Sequence, residues 1–189
     1  MSETRSMISR LGFSCAAFAL IVGATLLASP AVGHAAEGPG STLTTQLANP
    51  EGRALVTVEG LITNTNKDGK AVMTRNVLDS FPMTKLETET PWTKGVQKFE
   101  GVSMKDFLSI VGATGTTLKI VALNDYSIEV PVTDSNYGAL FATKHNDNIM
   151  TVKDKGPLWL IYPMSDMGTV NDINFGARSI WQIKRIEVR

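Results

Sequence analysis

Over residues 54–62 the chain reads Ala54-Leu55-Val56-Thr57-Val58-Glu59-Gly60-Leu61-Ile62, apolar and β-branched positions alternating with polar ones. A period of two marks a strand with one buried face. Lys67-Asp68-Gly69 then offers a turn, 71–74 a short returning strand, and 75–81 a short helix stopped by Pro82. Alternation over 85–90 leads into Pro91-Trp92, and 96–99 is a further strand. Ser103 is placed to cap a helix that runs to Val111 and stops at Gly112. Strands at 117–123 and 126–132 flank Asn124-Asp125, the pattern of a hairpin. The spacing over 134–143 predicts a helix with Asp134 near its start, and Asn146-Asp147-Asn148 predicts a turn. An apolar run at 158–162, bounded by Pro157 and Pro163, predicts a buried strand. Residues 164–176 read as a long loop, with Asp166 and Asp172 among small residues, and 185–189 as a closing strand. Strands outnumber helices and intermix with them, so the expected class is α+β.

The first 35 residues carry a different pattern. Arg5 and Arg10 precede an apolar run over 11–28, which ends at Ser29-Pro30 and is followed by the small residues Gly33 and Ala35 around His34. That is the layout of a secretory signal cleaved near Ala35. A run of about 18 apolar residues could also anchor the chain in a bilayer, and Pro30 with the small residues favours cleavage over anchoring. The expectation is an exported protein, periplasmic if the source is a Gram-negative bacterium. Arg10 has no arginine beside it, which points to export as an unfolded chain. The Gly/Pro/Ser/Thr-rich stretch that follows makes 36–53 a linker and 54–189 a single domain.

Cleavage changes the chemical inventory. Cys15 and His34 leave with the signal, so the remaining 154 residues hold no cysteine and one histidine, His145. A disulfide, a nucleophilic thiolate and a structural Cys/His zinc site are excluded there. Removing Arg5, Arg10 and Glu3 leaves 16 basic and 17 acidic residues, which argues against a nucleic-acid partner. His145 stands on a polar Lys-His-Asn-Asp stretch with no G-x-S-x-G anywhere near it, the setting of a surface residue more than of a catalytic base.

A longer order of signals carries a resemblance. Val58-Glu59-Gly60, a short helix ending at Pro82, Leu86-Glu87-Thr88, Phe99-Glu100-Gly101-Val102 with a capped helix through Lys105-Asp106-Phe107-Leu108, Asn124-Asp125-Tyr126, Gly156-Pro157-Leu158, Tyr162-Pro163 and Arg185-Ile186-Glu187-Val188 follow one another in that order. Over 54–189 this resembles the molybdopterin-binding domain of the sulfite oxidase family. The resemblance implies a mixed, mostly β fold of the sulfite-oxidase type, with molybdopterin as the family cofactor and oxidoreductase chemistry. It also exposes departures. The family's ligating Leu-x-Cys is matched by Leu86-Glu87-Thr88, and a threonine hydroxyl is no soft ligand for molybdenum. The family's His-Gly-x-Pro-Leu-Arg stretch beside the pterin phosphate is matched by 154–159, where Lys155 leaves one cation and Trp159 stands at the arginine's place. Near the end, a basic residue followed by Trp becomes Trp181-Gln182, with Arg178 as partial compensation. No cofactor is expected on this reading.

Thr88, Glu89, Thr90 and Trp92 fall where the family places its metal cleft, either as a remodelled polar pocket with an aromatic wall or as a strand edge before a proline turn. Asn124, Asp125 and Tyr126 match a turn beside that site; Asp125 could orient a ligand or act as a base, or the turn could be chosen for its backbone alone. Trp159, Trp181 and Arg178 could form a stacking or cation–π pocket, or the two tryptophans could fill a vacated cavity as core; Lys155 stays a candidate ligand contact as the remaining cation. Three functions stay open: a non-catalytic module binding a small organic ligand or a membrane-associated protein; a pterin-dependent oxidoreductase or its accessory subunit; and an interaction domain with a filled cleft. An open pocket lined by Trp159 or Trp181 marks the first, and both tryptophans buried without a pocket the third.

Overall fold

The alternating Val56 and Val58 do place a buried face on a strand, and that strand meets the chain's last one. A computed structural model describes residues 46–170 and 172–189; the signal read at 1–35 and the first part of the linker lie outside them. Strand β1 (Val56–Gly60) pairs in parallel with β10 (Ile183–Val188), Val58 opposite Ile186. Around them β2 (Ala71–Met73), β5 (Thr117–Ala122) and β6 (Ser127–Pro131) complete one sheet in the order β2-β1-β10-β5-β6. A second sheet runs β3 (Met83–Thr88), β4 (Gln97–Ser103), β7 (Leu140–His145) and β8 (Asn148–Ile149), with β9 (Trp159–Ile161) also pairing with β7. The helices are short: α1 (Arg75–Asp79), α2 (Met104–Val111), α3 (Met164–Met167) and α4 (Ile173–Arg178). Mixed sheets with few helices make this the α+β, mostly β architecture expected of the sulfite-oxidase type.

The cap signals of α2 are used as read. Ser103 Oγ accepts from Asp106 N–H and donates to its carboxylate at 2.6 Å. Gly112 ends the helix at φ 61°, a conformation that costs a side chain strain. Met104, Phe107, Leu108 and Val111 bury one face of α2 in the main core, beside Val56, Val58, Leu118, Ile120, Ile183 and Ile186 of the first sheet.

The middle of the second sheet, β7 with β9, is buried on both faces, and two sequence expectations are overturned. Along β7, Phe141 joins the main core while Leu140 and Ala142 join a smaller one with Phe99, Met150, Trp159 and Ile161. With both faces covered, the run is apolar without alternation, so the helix expected over 134–143 is instead a 3₁₀ turn (Val132–Tyr137) followed by β7. The loop expected over 164–176 contains α3 and most of α4, helices of four and six residues that are too short to show a period. Leu47, inside the stretch read as linker, is buried in the main core, and Asn66 and Asn76 hold the backbone of Ala48 and Asn49. Ordered packing therefore reaches back beyond residue 54. Among the described residues, no helix is long and apolar enough to cross a membrane.

Candidate functional site

All three tryptophans of the chain converge on the outer face of the second sheet. Trp159 comes from β9, Trp181 from the approach to β10, and Trp92 from the turn after β3. Their ring centroids lie 6.1 Å (Trp92 to Trp159), 5.3 Å (Trp92 to Trp181) and 6.0 Å (Trp159 to Trp181) apart, all edge to face, the arrangement that ring quadrupoles favour. Trp159 is fully buried and donates its indole N–H to the Ser179 carbonyl at 3.1 Å. Trp92 stays 36% exposed. Its turn is set by Thr90, whose Oγ1 accepts from Trp92 N–H and shares a 2.8 Å hydrogen bond with Thr93.

In front of Trp92 and Trp181 opens a cavity of about 670 Å³. The β5–β6 hairpin supplies Ala122, Asn124 and Tyr126, and α4 with its flanks supplies Asp172, Ile173, Gly176, Ala177 and Ser179. Ile173 is 82% exposed and Tyr126 half exposed, so the rim as well as the walls is apolar. Asp172 caps α4, accepting from Asn174 N–H at 2.7 Å and Phe175 N–H at 3.3 Å.

Of the eleven residues singled out from the sequence, the cavity gathers Trp92, Asn124, Tyr126 and Trp181, while Glu89 gives its backbone N–H to Ser165 Oγ at 2.8 Å. Thr90 lies behind them as the support of Trp92. Trp159 backs the wall, and Lys155 Nζ sits 5.5 Å from its ring centroid and 5.0 Å from that of Trp181. Asp125 is a rim residue in an ion pair with Lys184 at 2.6 Å. That hydrogen bond and charge hold its carboxyl below the usual range. Thr88 and Arg178 are turned to other work. Thr88 Oγ1 accepts from Ser165 N–H at 3.0 Å, and its own proton is shared between the Glu89 carbonyl and Ser165 Oγ. This fully buried hydroxyl ties the end of β3 to the first turn of α3. Arg178 donates to both carboxylate oxygens of buried Asp134, at 3.2 and 3.0 Å, and Tyr162 Oη donates to the same group at 2.8 Å. Burial, then the Asp134 charge, pushes the Tyr162 hydroxyl far above its ordinary pKa.

His145, set aside as a surface residue, is half-buried and lies outside the cavity. Its ring stacks on Phe99 at 4.9 Å, and Nε2 is 3.0 Å from Gln97 Oε1. Sequence reasoning missed the α4 wall, Ile173 above all, and the Asp134–Arg178–Tyr162 group. The sign for the first was Asp172 standing as a cap before Ile173-Asn174-Phe175. The second is a long-range contact with no local signature.

The residues at the family's cofactor positions do not fit a molybdenum pterin. The oxygen at the metal-ligand place is consumed by α3, and a threonine hydroxyl lacks the thiolate's affinity. The two cations at those positions are engaged, Arg178 by Asp134 and Lys155 by two indole rings. No lysine or arginine lines the cavity. Among the described residues no three His, Cys, Asp or Glu side chains are grouped to hold a metal ion.

Neither a family model nor a curated protein matches this chain. Among solved structures, it is similar to the sulfane dehydrogenase SoxCD from Paracoccus pantotrophus, with a TM-score of 0.51 and 17% identity, over 70% of this chain. The chain spans little more than a third of that neighbour, 37% of its length. At this identity the likeness is one of fold.

Proposed function

We propose that this protein is an exported, non-catalytic module that binds a small organic ligand in the cavity between Trp92, Trp181, Tyr126 and α4. The observation that carries the reading is the cavity itself. Its volume of about 670 Å³ and its few polar groups among apolar walls match small-molecule sites in general. The loss of the ligating thiolate and the internal engagement of Arg178 and Lys155 support binding without the family's redox chemistry. The 1–35 pattern supports export. An interaction domain with a filled cleft is disfavoured, because only Trp159 is fully buried and Trp181 lines an open wall.

Two measurements test this. Protein taken from the exported fraction of its own host should carry an organic molecule visible by native mass spectrometry and no stoichiometric molybdenum. Nile red, a neutral apolar dye, should bind the wild type with a blue-shifted emission and should lose most of its affinity in Trp181→Ala. Stoichiometric molybdenum or a bound pterin would overturn the reading, as would Nile red binding that ignores Trp181. The likeness to a sulfane dehydrogenase favours one second reading, an accessory subunit of such an oxidoreductase. Stoichiometric co-purification with a molybdenum-containing protein would support it.

A further inference from the structure

We infer that the ligand is an organic monocation with an apolar body, a substituted ammonium in chemical class; this rests on the cavity being a binding site. The charge on the lining decides it. Asp172 is the only formally charged side chain among the lining residues, and it is negative. Its Oδ1 takes both capping hydrogen bonds, so Oδ2 is left without a protein donor among the described residues. Asp125, the next carboxylate along the rim, is neutralised by Lys184.

Part of the donor set around the cavity is engaged within the protein. Ser179 Oγ donates to the Phe175 carbonyl, Gln182 Nε2 to the Val152 carbonyl and Trp159 Nε1 to the Ser179 carbonyl. Asn124 turns its carbonyl oxygen to Tyr126 N–H. The lining keeps the neutral Asn124 amide and Tyr126 hydroxyl, and beside them a set of π-faces. Lys155 engages Trp181 and Trp159, whereas no cation of the described chain sits over Trp92 or Tyr126. An anion would enter a space with a carboxylate and no lysine or arginine on its described lining, and would lose hydration without an opposite charge to replace it. A substituted ammonium keeps favourable electrostatics against aromatic rings and the carboxylate while its carbon atoms cover apolar wall.

Isothermal titration with three probes separates the possibilities: benzyltrimethylammonium, benzyl alcohol and benzoate. Benzyltrimethylammonium should bind tightest and benzoate weakest. Asp172→Asn retains a capping side chain; it should weaken the cation about fivefold and leave benzyl alcohol unchanged. Trp92→Leu, which keeps apolar area but removes a π-face, should likewise cost the cation more than the alcohol. Equal or tighter binding of benzyl alcohol or benzoate, with no effect of Asp172→Asn, overturns the ligand class. If none of the three binds, this inference also falls, and the Nile red result with Trp181→Ala then decides separately whether the cavity is a binding site.

Discussion

At His145 the surroundings oppose protonation. Burial against Phe99 is the larger cause and the nearby Lys155 charge the second, with Asp154 acting weakly the other way, so its pKa lies below the ordinary 6.5. A depressed pKa means that the unfolded chain takes up the proton first. Stability is therefore unaffected well above pH 6.5 and declines as the pH falls through that value toward the folded pKa. We expect the urea midpoint of the 36–189 chain to drop between about pH 7.5 and 5.5. The drop should be absent in His145→Gln, since no other histidine belongs to that segment. An unchanged profile in the variant would remove His145 from this role. Glu59 and Glu100, held below the carboxylate range by hydrogen bonds from Lys70 and from Lys144, lose their contribution only at more acid pH, below 4.5. Thr88 belongs to the same scale. Its place at the end of a strand was legible in the sequence, but its use as the clamp on Ser165 was not, because the partner lies 77 residues away.

Among the elements, β4 shows why Phe99-Glu100-Gly101-Val102 needs its glycine. The β4–β7 register shifts between Glu100 and Gly101, and a Cβ on Gly101 would lie 2.1 Å from the Phe141 carbonyl oxygen. That atom and the Ala142 Cα, which it would approach to 2.6 Å, are backbone, so nothing can swing aside. Gly101→Ala should cost about 2–3 kcal/mol by forcing the two strands apart, read as a lower midpoint in chemical denaturation; a cost below about 0.5 kcal/mol would mean that the strands separate freely. Elements with one buried face were legible: β1, β5, β6 and the capped α2 fall within two residues of their expected ends. Those that failed were a strand buried on both faces and two helices of about one turn, where periodicity carries no information.

Across the whole molecule, Asp134 joins parts far apart in sequence. It sits in the 3₁₀ turn before β7 and receives Arg178 from the end of α4 and Tyr162 from beyond β9. The carboxylate is buried while the guanidinium is about a third exposed. Asp134→Asn should cost about 2–3 kcal/mol, below the figure for a fully buried pair because water reaches Arg178. Since α4 forms one wall of the cavity, the same variant should also weaken Nile red binding in protein that remains folded. Retained stability together with retained binding would show that α4 is positioned by its apolar contacts alone, Phe175 against Tyr162 and Tyr137.

The sequence by itself determined the class of the fold, the caps of α2 and the chemical inventory of 36–189, without cysteine and with Trp92, Trp159 and Trp181. These follow from local periodicity, residue chemistry and order along the chain. Tertiary structure alone decided which of those tryptophans is core and which is wall. Trp159 lies on a strand that is covered on both sides, whereas Trp181 lies at a strand's approach where α4 and the β5–β6 hairpin leave a gap. It also decided that Arg178 faces a buried carboxylate in place of the cavity. A side chain's neighbours are set by packing between distant segments, and no spacing within one segment records them.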